Sequence, residues 1–570
     1  MLKDSLSLEH FRHRLGHVEA LPQLITLGVL AGLVTGLLVI AFRLLVDHAQ
    51  DFLIADGGPE GFEALSPILR WVYPIVGALI LAAILVPLSP KQRRTGPVHV
   101  LERLSYHQGV LPASNLFVQF WGAAIALISG HSVGREGPAI HLGAAASSLL
   151  GQSLRLPHNS IRLLVGCGTA AAISAAFNTP LAGVIFAMEV VLLEYTVIGF
   201  TPVVVAAVSA DVIVRLTIGA ETSIRGSMFQ IETLSELPWV MLIGVCTGAA
   251  AAAFTWLLTQ TSQKVKLHLA IKLLIAGFLV GATAQYYPQV MGVGYDTIND
   301  LLTGEHTLLL LCGLLLAKGL LTPIILGLGI PGGLIGPSLF IGAVIGAILG
   351  IIGDAFAQQQ VSHTGFYAML GMGAMMAALL NAPLAALMAM LELTANPNII
   401  LPGMLAIVVS NTTMRYVFKY PSVFITSLNT LGLDYRHEPL SQALSRRAVV
   451  SSMDRSIALV PYCALSEDIS KATDTAQWLI FEKNHQLSAI RTSSINRLTS
   501  EDDHSPYIDL SEAAIDRHDL RRISYRATLN QALEKMNRHN IDALAVSNLS
   551  HKTIGIITRE TIELSYRSNN

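Results

Sequence analysis

Between Gln108 and Arg155 the chain carries two formal charges, Arg135 and Glu136, side by side in Gly134-Arg135-Glu136-Gly137-Pro138. An ionisable residue kept in an apolar field is costly and marks function by default. Two chemistries fit. The side chains form a local structural ion pair, or Glu136 acts at a helix start, where a carboxylate accepts backbone N–H bonds and competes with any anion using the same donors. Deprotonated, it occupies an anion site; protonated, it leaves. That is a gate and, in principle, a proton carrier. Neighbouring residues pair poorly, which favours the gate.

Gly-Pro and Asn-x-Pro steps open apolar helical runs at Pro138, Pro180, Pro337 and Pro383. Proline suits the first helical turn, glycine permits a sharp bend before it, and asparagine is a good N-cap. The steps therefore predict four helix starts, each with unpaired N–H donors and about half a positive charge. In lipid such donors must be buried in protein or face a cavity. Converging on a cavity, they make an anion site without a fixed cation. The four starts are paired by an internal repeat. Asn178, Pro180, Leu181, Ala182 and Glu189 recur as Asn381, Pro383, Leu384, Ala385 and Glu392, and Gly137-Pro138 recurs as Gly336-Pro337. Two related halves with interrupted apolar segments are a transporter signature.

The elements that carry these residues follow from composition. The 570 residues are 52% hydrophobic and 13% charged, against about 25% charged in soluble domains. Residues 436–570 hold 34 of the 76 Asp, Glu, Lys and Arg residues. We therefore expect a cytoplasmic segment 1–20, a membrane domain 21–430 and a soluble domain 431–570. Apolar stretches lie at 21–53, 71–88, 114–130, 161–176, 180–197, 201–219, 237–262, 269–288, 307–329, 338–353, 367–394 and 399–418. Some, such as 338–353, are too short for a perpendicular span, which implies tilted helices and helices ending inside the membrane. No cleavable leader pattern opens the chain. A net charge of -2 excludes nucleic-acid binding by bulk electrostatics. Cys167, Cys246, Cys312 and Cys463 have no metal spacing, and three lie in apolar runs as expected core filler.

GREGP, the later GIPGGLIGP (329–337), FNTPLAGVIFAME (177–189) and the repeat together resemble the CLC family of chloride channels and chloride/proton exchangers, over nearly all of 21–430. The resemblance implies an all-α polytopic membrane fold of two inverted repeats and a homodimer in the lipid bilayer with one anion pathway per subunit. It implies an inner cell-membrane location with both termini cytoplasmic. Glu136 matches the gating glutamate. The amides around Arg135–Gly137 and Leu334–Ile335 match the anion-coordinating groups, so selectivity rests on oriented dipoles. Three departures follow. The family serine before GREGP falls on Thr95 by ungapped counting, beside Gly96, or Pro97 is the residue nearest the anion. The family tyrosine of the last membrane helix falls on Phe424, which has the ring without the hydroxyl. The second of two adjacent glutamates, the internal proton residue of exchangers, is Val190 here, with Glu189 as a structural partner mirrored by Glu392.

With Val190 unable to carry a proton, the expected function is chloride transport gated by Glu136, channel-like or weakly proton-coupled. The alternative is a chloride/proton antiporter using another route, for which His99, His131 and His141 are nearby titratable groups. Lys318 and Asp211 are further buried charges, expected to be paired. The tail holds two similar units, at about 450–500 and 515–570, each reading helix, strand, turn, strand, short helix. They resemble an α/β CBS-domain pair. Thr558 matches a phosphate-holding threonine, but Thr561 stands where the ribose-binding Asp belongs, and Thr492 is followed by Ile495, so adenine-nucleotide binding is weakly supported. The acidic run 501–504 reads as a solvated linker. No cofactor or metal is expected, with chloride as the transported ligand. An intramembrane enzyme fails on inventory, with no HExxH pair and no paired membrane aspartates at protease-like spacing.

Overall fold

The computed structural model describes residues 15, 20–54, 58, 60–194, 196–219, 233–303, 306–356, 362–433, 439–495, 507–510, 517–548 and 550–567. The chain separates into two compact units. One comprises Ile25–Ser153 and Ile161–Tyr435; the other is built mainly on Arg436–Asn570 and takes in Leu154–Ser160. The acidic run 501–504 and most of segment 1–20 lie outside the described residues.

Among the described residues, eight helices are long and apolar enough to cross a membrane, from Leu21–Leu53 to Pro397–Val417. Others, such as Pro383–Thr394 with 12 residues, reach only about 18 Å at 1.5 Å per residue, short of the roughly 30 Å hydrocarbon core. The stretch 338–353 is longer than its apolar run suggested. Its helix, Ile335–Phe356, has 22 residues because Ile335, Gly336 and Pro337 already form the first turn and the helix runs on through Phe356. Likewise Glu136–Ser153 begins two residues before Pro138, since any residue of the first turn can lack its N–H without cost. Stretch 367–394 is two helices, Thr364–Leu380 and Pro383–Thr394.

Asn178 and Asn381 do not cap the helices that follow them. With φ of 57° and 55° they finish the preceding helices in the left-handed conformation, which asparagine tolerates. Thr179 and Ala382 occupy the N-cap positions. Of the three cysteines in apolar runs only Cys167 is buried; Cys246 is half-buried and Cys312 exposed, because a residue in an apolar helix can equally face the lipid side.

The repeat is physical as well as textual. A Cβ added to Gly143 would lie 2.3 Å from the Gly168 carbonyl oxygen, and one on Gly342 would lie 2.3 Å from that of Gly371. Each half thus has a matching crossing where two backbones touch, the small-residue packing that membrane helices favour. The halves also grip each other reciprocally. The Glu189 carboxylate accepts the N–H groups of Leu384 (3.3 Å) and Ala385 (2.8 Å), and the Glu392 carboxylate accepts those of Leu181 (3.0 Å) and Ala182 (2.8 Å). A relation that is its own inverse is a pseudo-two-fold.

In the second unit β1 (Ile457–Leu459), β3 (Trp478–Lys483), β4 (Gln486–Arg491), β6 (Arg517–Ser524), β7 (Ala543–Ser547) and β8 (Thr553–Thr558) form one sheet in that order, while β2 (Cys463–Leu465) pairs with β5 (Tyr507–Asp509). In both halves of the large sheet a strand, a helix and a parallel strand are followed by an antiparallel one: β1–β3–β4 and β6–β7–β8. The second half is the more regular. Its helix Leu529–His539 has a full capping box between Thr528 and Gln531, and an apolar cluster around Leu529, Met536, Leu544 and Val546 lies beneath it. The segment 154–160 joins this unit through Arg526, which donates to the Leu156 carbonyl at 2.9 Å and accepts the His158 N–H at 3.0 Å.

Candidate functional site

The two Gly-Pro loops meet. Gly134 and Gly333 exchange backbone hydrogen bonds of 2.7 and 2.8 Å as an isolated antiparallel bridge. The fit leaves no room for side chains, since a Cβ on Gly137 would stand 2.7 Å from the Gly333 Cα. This brings the starts of Glu136–Ser153 and Ile335–Phe356 together. The first intrahelical bonds are Ala139 N–H to Arg135 and Ser338 N–H to Leu334, both 3.0 Å. The N–H groups of Gly137 and Ile335 therefore have no acceptor earlier in their helices.

A cavity of about 350 Å³ reaches these donors, its wall including Thr95, Gly96, Gly137, Leu334, Ile335 and Phe424. Six of the eight residues assigned to anion binding from the sequence thus share one space. Pro97 lines it too, its Cδ 3.7 Å from a Cβ placed on Gly137, so the sequence alternatives Thr95 and Pro97 both face the cavity. Thr95 is the N-cap of Gly96–Tyr106 but makes no side-chain cap bond. The Gly96 N–H donates to Gln119 at 2.6 Å. Phe424 is buried near the start of Val423–Thr430, whose N-cap Ser422 accepts the Ile425 N–H at 3.2 Å.

Arg135 and Glu136 do not line that cavity, nor do they pair with each other. Glu136 is fully buried; one carboxylate oxygen accepts the Gly336 N–H at 3.0 Å and the other accepts the Tyr295 hydroxyl. Arg135 lies 3.9 Å from Asp47, with its guanidinium 5.1 Å from the centre of the Tyr295 ring. Glu136 therefore holds a backbone donor of the opposite repeat.

The four predicted starts do not all converge here. Those at Pro180 and Pro383 spend their donors on Glu392 and Glu189, because a carboxylate from the opposite repeat satisfies them where an anion would otherwise be needed. Val190 is buried beside Glu189 in the π turn Ala187–Leu192. Of the histidines, His99 lines the cavity and its Nδ1 is 2.9 Å from Nε2 of His141, while His131 meets Ser129 at 2.9 Å. Asp211 pairs with Arg215 at 2.6 Å. Lys318 has no carboxylate within ion-pair distance among the described residues; it donates to the carbonyls of Gly292 (3.2 Å) and Val290 (3.4 Å) and sits 4.4 Å over the Phe340 ring. Sequence reasoning missed Tyr295. The sole local signal was a tyrosine directly after Gly292-Val293-Gly294, a bend that aims the residue behind it.

Three comparisons bear on this arrangement. Residues 77–415 match the family model described as voltage gated chloride channel. A putative chloride channel protein, ClcB-like, of Ralstonia nicotianae is 31% identical over 416 residues, covering 71% of this chain and 96% of that one. The H(+)/Cl(-) exchange transporter ClcA of Vibrio cholerae is 28% identical over 389 residues, covering 66% of this chain and 82% of the relative. Among solved structures, a slow cyanobacterial Cl-/H+ antiporter superimposes with a TM-score of 0.63 at 21% identity, covering 72% of this chain and 97% of that one, which speaks for the fold. The family is one of channels and transporters, not of enzymes. By its matched span, the chain is an integral membrane protein and belongs to the voltage-gated chloride channel family.

Proposed function

We propose that this protein carries chloride across a membrane through the cavity at Gly137, Leu334 and Ile335, with Glu136 as its gate. One observation carries the reading: a fully buried carboxylate takes a helix-start N–H of the opposite repeat, Gly336, that an anion could also use. Protonation removes the charge that holds the side chain there, and chloride takes its place. Gly137 and Ile335 supply amide dipoles, and Thr95 a hydroxyl, on the cavity side. Dipoles without a full charge bind an anion weakly enough for release. The name of the Ralstonia relative and the family description agree with chloride as the ion.

Transport is channel-like or weakly coupled in this reading, because Val190 cannot hold a proton. A second reading, chloride/proton exchange by another route, is favoured by the His99–His141 pair, one member of which lines the cavity, and by the exchanger among the relatives. In this reading the protein is a homodimer in the inner membrane with both termini cytoplasmic. The tail is read as a CBS-like pair that packs and modulates, supported by its duplicated strand order. Adenine nucleotide is a weak candidate ligand there: the Thr558 hydroxyl lies 2.9 Å from that of Thr561 and accepts its N–H at 3.2 Å, and no carboxylate stands at 561 for a ribose.

The test is flux from reconstituted liposomes. Chloride efflux is expected on addition of a potassium ionophore; an empty-liposome rate would overturn the transport reading. A chloride gradient that drives protons uphill selects exchange, and its failure to do so selects the channel-like mode.

A further inference from the structure

The Tyr295 side chain is buried, and among the described residues its hydroxyl has one partner, Glu136. It is held from several sides. Its N–H donates to Glu60 at 3.4 Å, and the Phe177 ring meets its own edge-on at 6.4 Å. The loop before it is tied down twice, by Lys318 on the Val290 and Gly292 carbonyls and by the Gly292 N–H on Gly130 at 3.3 Å. The Arg135 guanidinium over the ring draws electron density from the phenol and makes its O–H a stronger donor. Nothing in this arrangement requires Glu136 to remain. When that side chain leaves, the Tyr295 O–H and the Gly336 N–H stay behind as two buried donors aimed at one vacated position. Leaving both unpaired is costly, and an anion satisfies both.

We infer that Tyr295 is a positioning residue for the gate and a donor to the anion that replaces it: its hydroxyl latches the Glu136 carboxylate in place and then passes to chloride. The inference rests on Glu136 being the gate. The charged and titratable groups around it are Arg135 on the same loop, Asp47 facing both Arg135 and Arg43, Glu60 beneath the Tyr295 N–H, Asp296 next along the chain, and Lys318 behind the loop; His99 faces the cavity at Gly137. The sign follows. The hydroxyl stabilises the ionised, closed form, so removing it lets the gate open at lower proton concentration.

Chloride efflux is measured against external pH for wild type, Glu136→Gln, Tyr295→Phe, and a chain carrying a ring-fluorinated tyrosine at 295. Tyr295→Phe is expected to move the pH midpoint upward by about one unit, the scale of one hydrogen bond to a charged group. The fluorinated ring, a stronger donor of nearly the same size, moves it downward, a direction that a packing role would not produce. It also serves if the phenylalanine variant fails to fold. Should Glu136→Gln flatten the profile while both changes at 295 leave the wild-type midpoint, Tyr295 is no latch and the gate stands. Should Glu136→Gln itself keep the wild-type profile, the gate reading falls and takes the latch with it. The donor role is read separately, by calorimetry of chloride binding to Glu136→Ala with and without Tyr295→Phe. The second change should weaken binding about tenfold, one hydrogen bond's worth, and equal affinities would overturn it.

Discussion

Replacing Glu136 by Gln keeps the shape of the proposed gate and removes its charge. The carboxylate accepts two hydrogen bonds, from Gly336 at 3.0 Å and from Tyr295. Bonds to an ionised acceptor contribute about 1.5–3 kcal/mol each and neutral ones about 0.5–1.5. The substitution therefore costs the closed position roughly 1–2 kcal/mol per bond, about 2–4 in all. At about 1.4 kcal/mol per decade the closed population falls by at least tenfold. Because the amide does not titrate, the remaining flux should be flat in pH. The assay is chloride-electrode efflux from liposomes over about pH 4 to pH 8, which spans ordinary carboxylate and imidazole titration. Wild type should rise as pH falls; Glu136→Gln should be fast throughout. Coincident wild-type and variant curves would refute both the gate and the competition between carboxylate and chloride from which it is derived.

The remaining expectations concern the scaffold and the inner wall. Gly342→Ala forces a Cβ to 2.3 Å from the Gly371 carbonyl oxygen, so it should lower thermal stability by about 1–3 kcal/mol or prevent monodisperse purification; a wild-type melting temperature counts against the tight crossing. Glu392→Gln weakens the cap on Leu181 and Ala182 and should cost about 1–3 kcal/mol of stability without moving the pH midpoint; a shift matching that of Glu136→Gln would mean that this carboxylate also gates. Phe424→Tyr adds a hydroxyl to the cavity wall and should tighten chloride binding by about 1 kcal/mol, roughly fivefold. Unchanged calorimetric affinity would show that the ring does not point at the anion.

Several parts of the candidate site were legible because they are local. The isolation of Arg135 and Glu136 needs only the neighbouring residues, and a helix start needs only a glycine–proline step. The exact first residue was less legible: Glu136 and Ile335, not the prolines, open their helices, since proline is accommodated anywhere in the first turn. The asparagines were misplaced by one element for a similar reason. The same short polar residue that caps a helix start also tolerates the left-handed turn that ends one, and the choice depends on the following contact.

Sequence alone determined the apolar spans, the duplicated halves, the charge-rich tail and the pair of Gly-Pro loops, because hydropathy, period and backbone permissiveness act over a few residues at a time. Tertiary packing decided which helix starts share the chloride candidate cavity and which are closed by Glu189 and Glu392. It decided that Arg135 turns to Asp47, and that the Glu136 carboxylate meets a tyrosine 159 residues away. A buried carboxylate must find donors wherever the fold brings them, and that choice follows the crossing of two distant halves, not the residues on either side of Glu136.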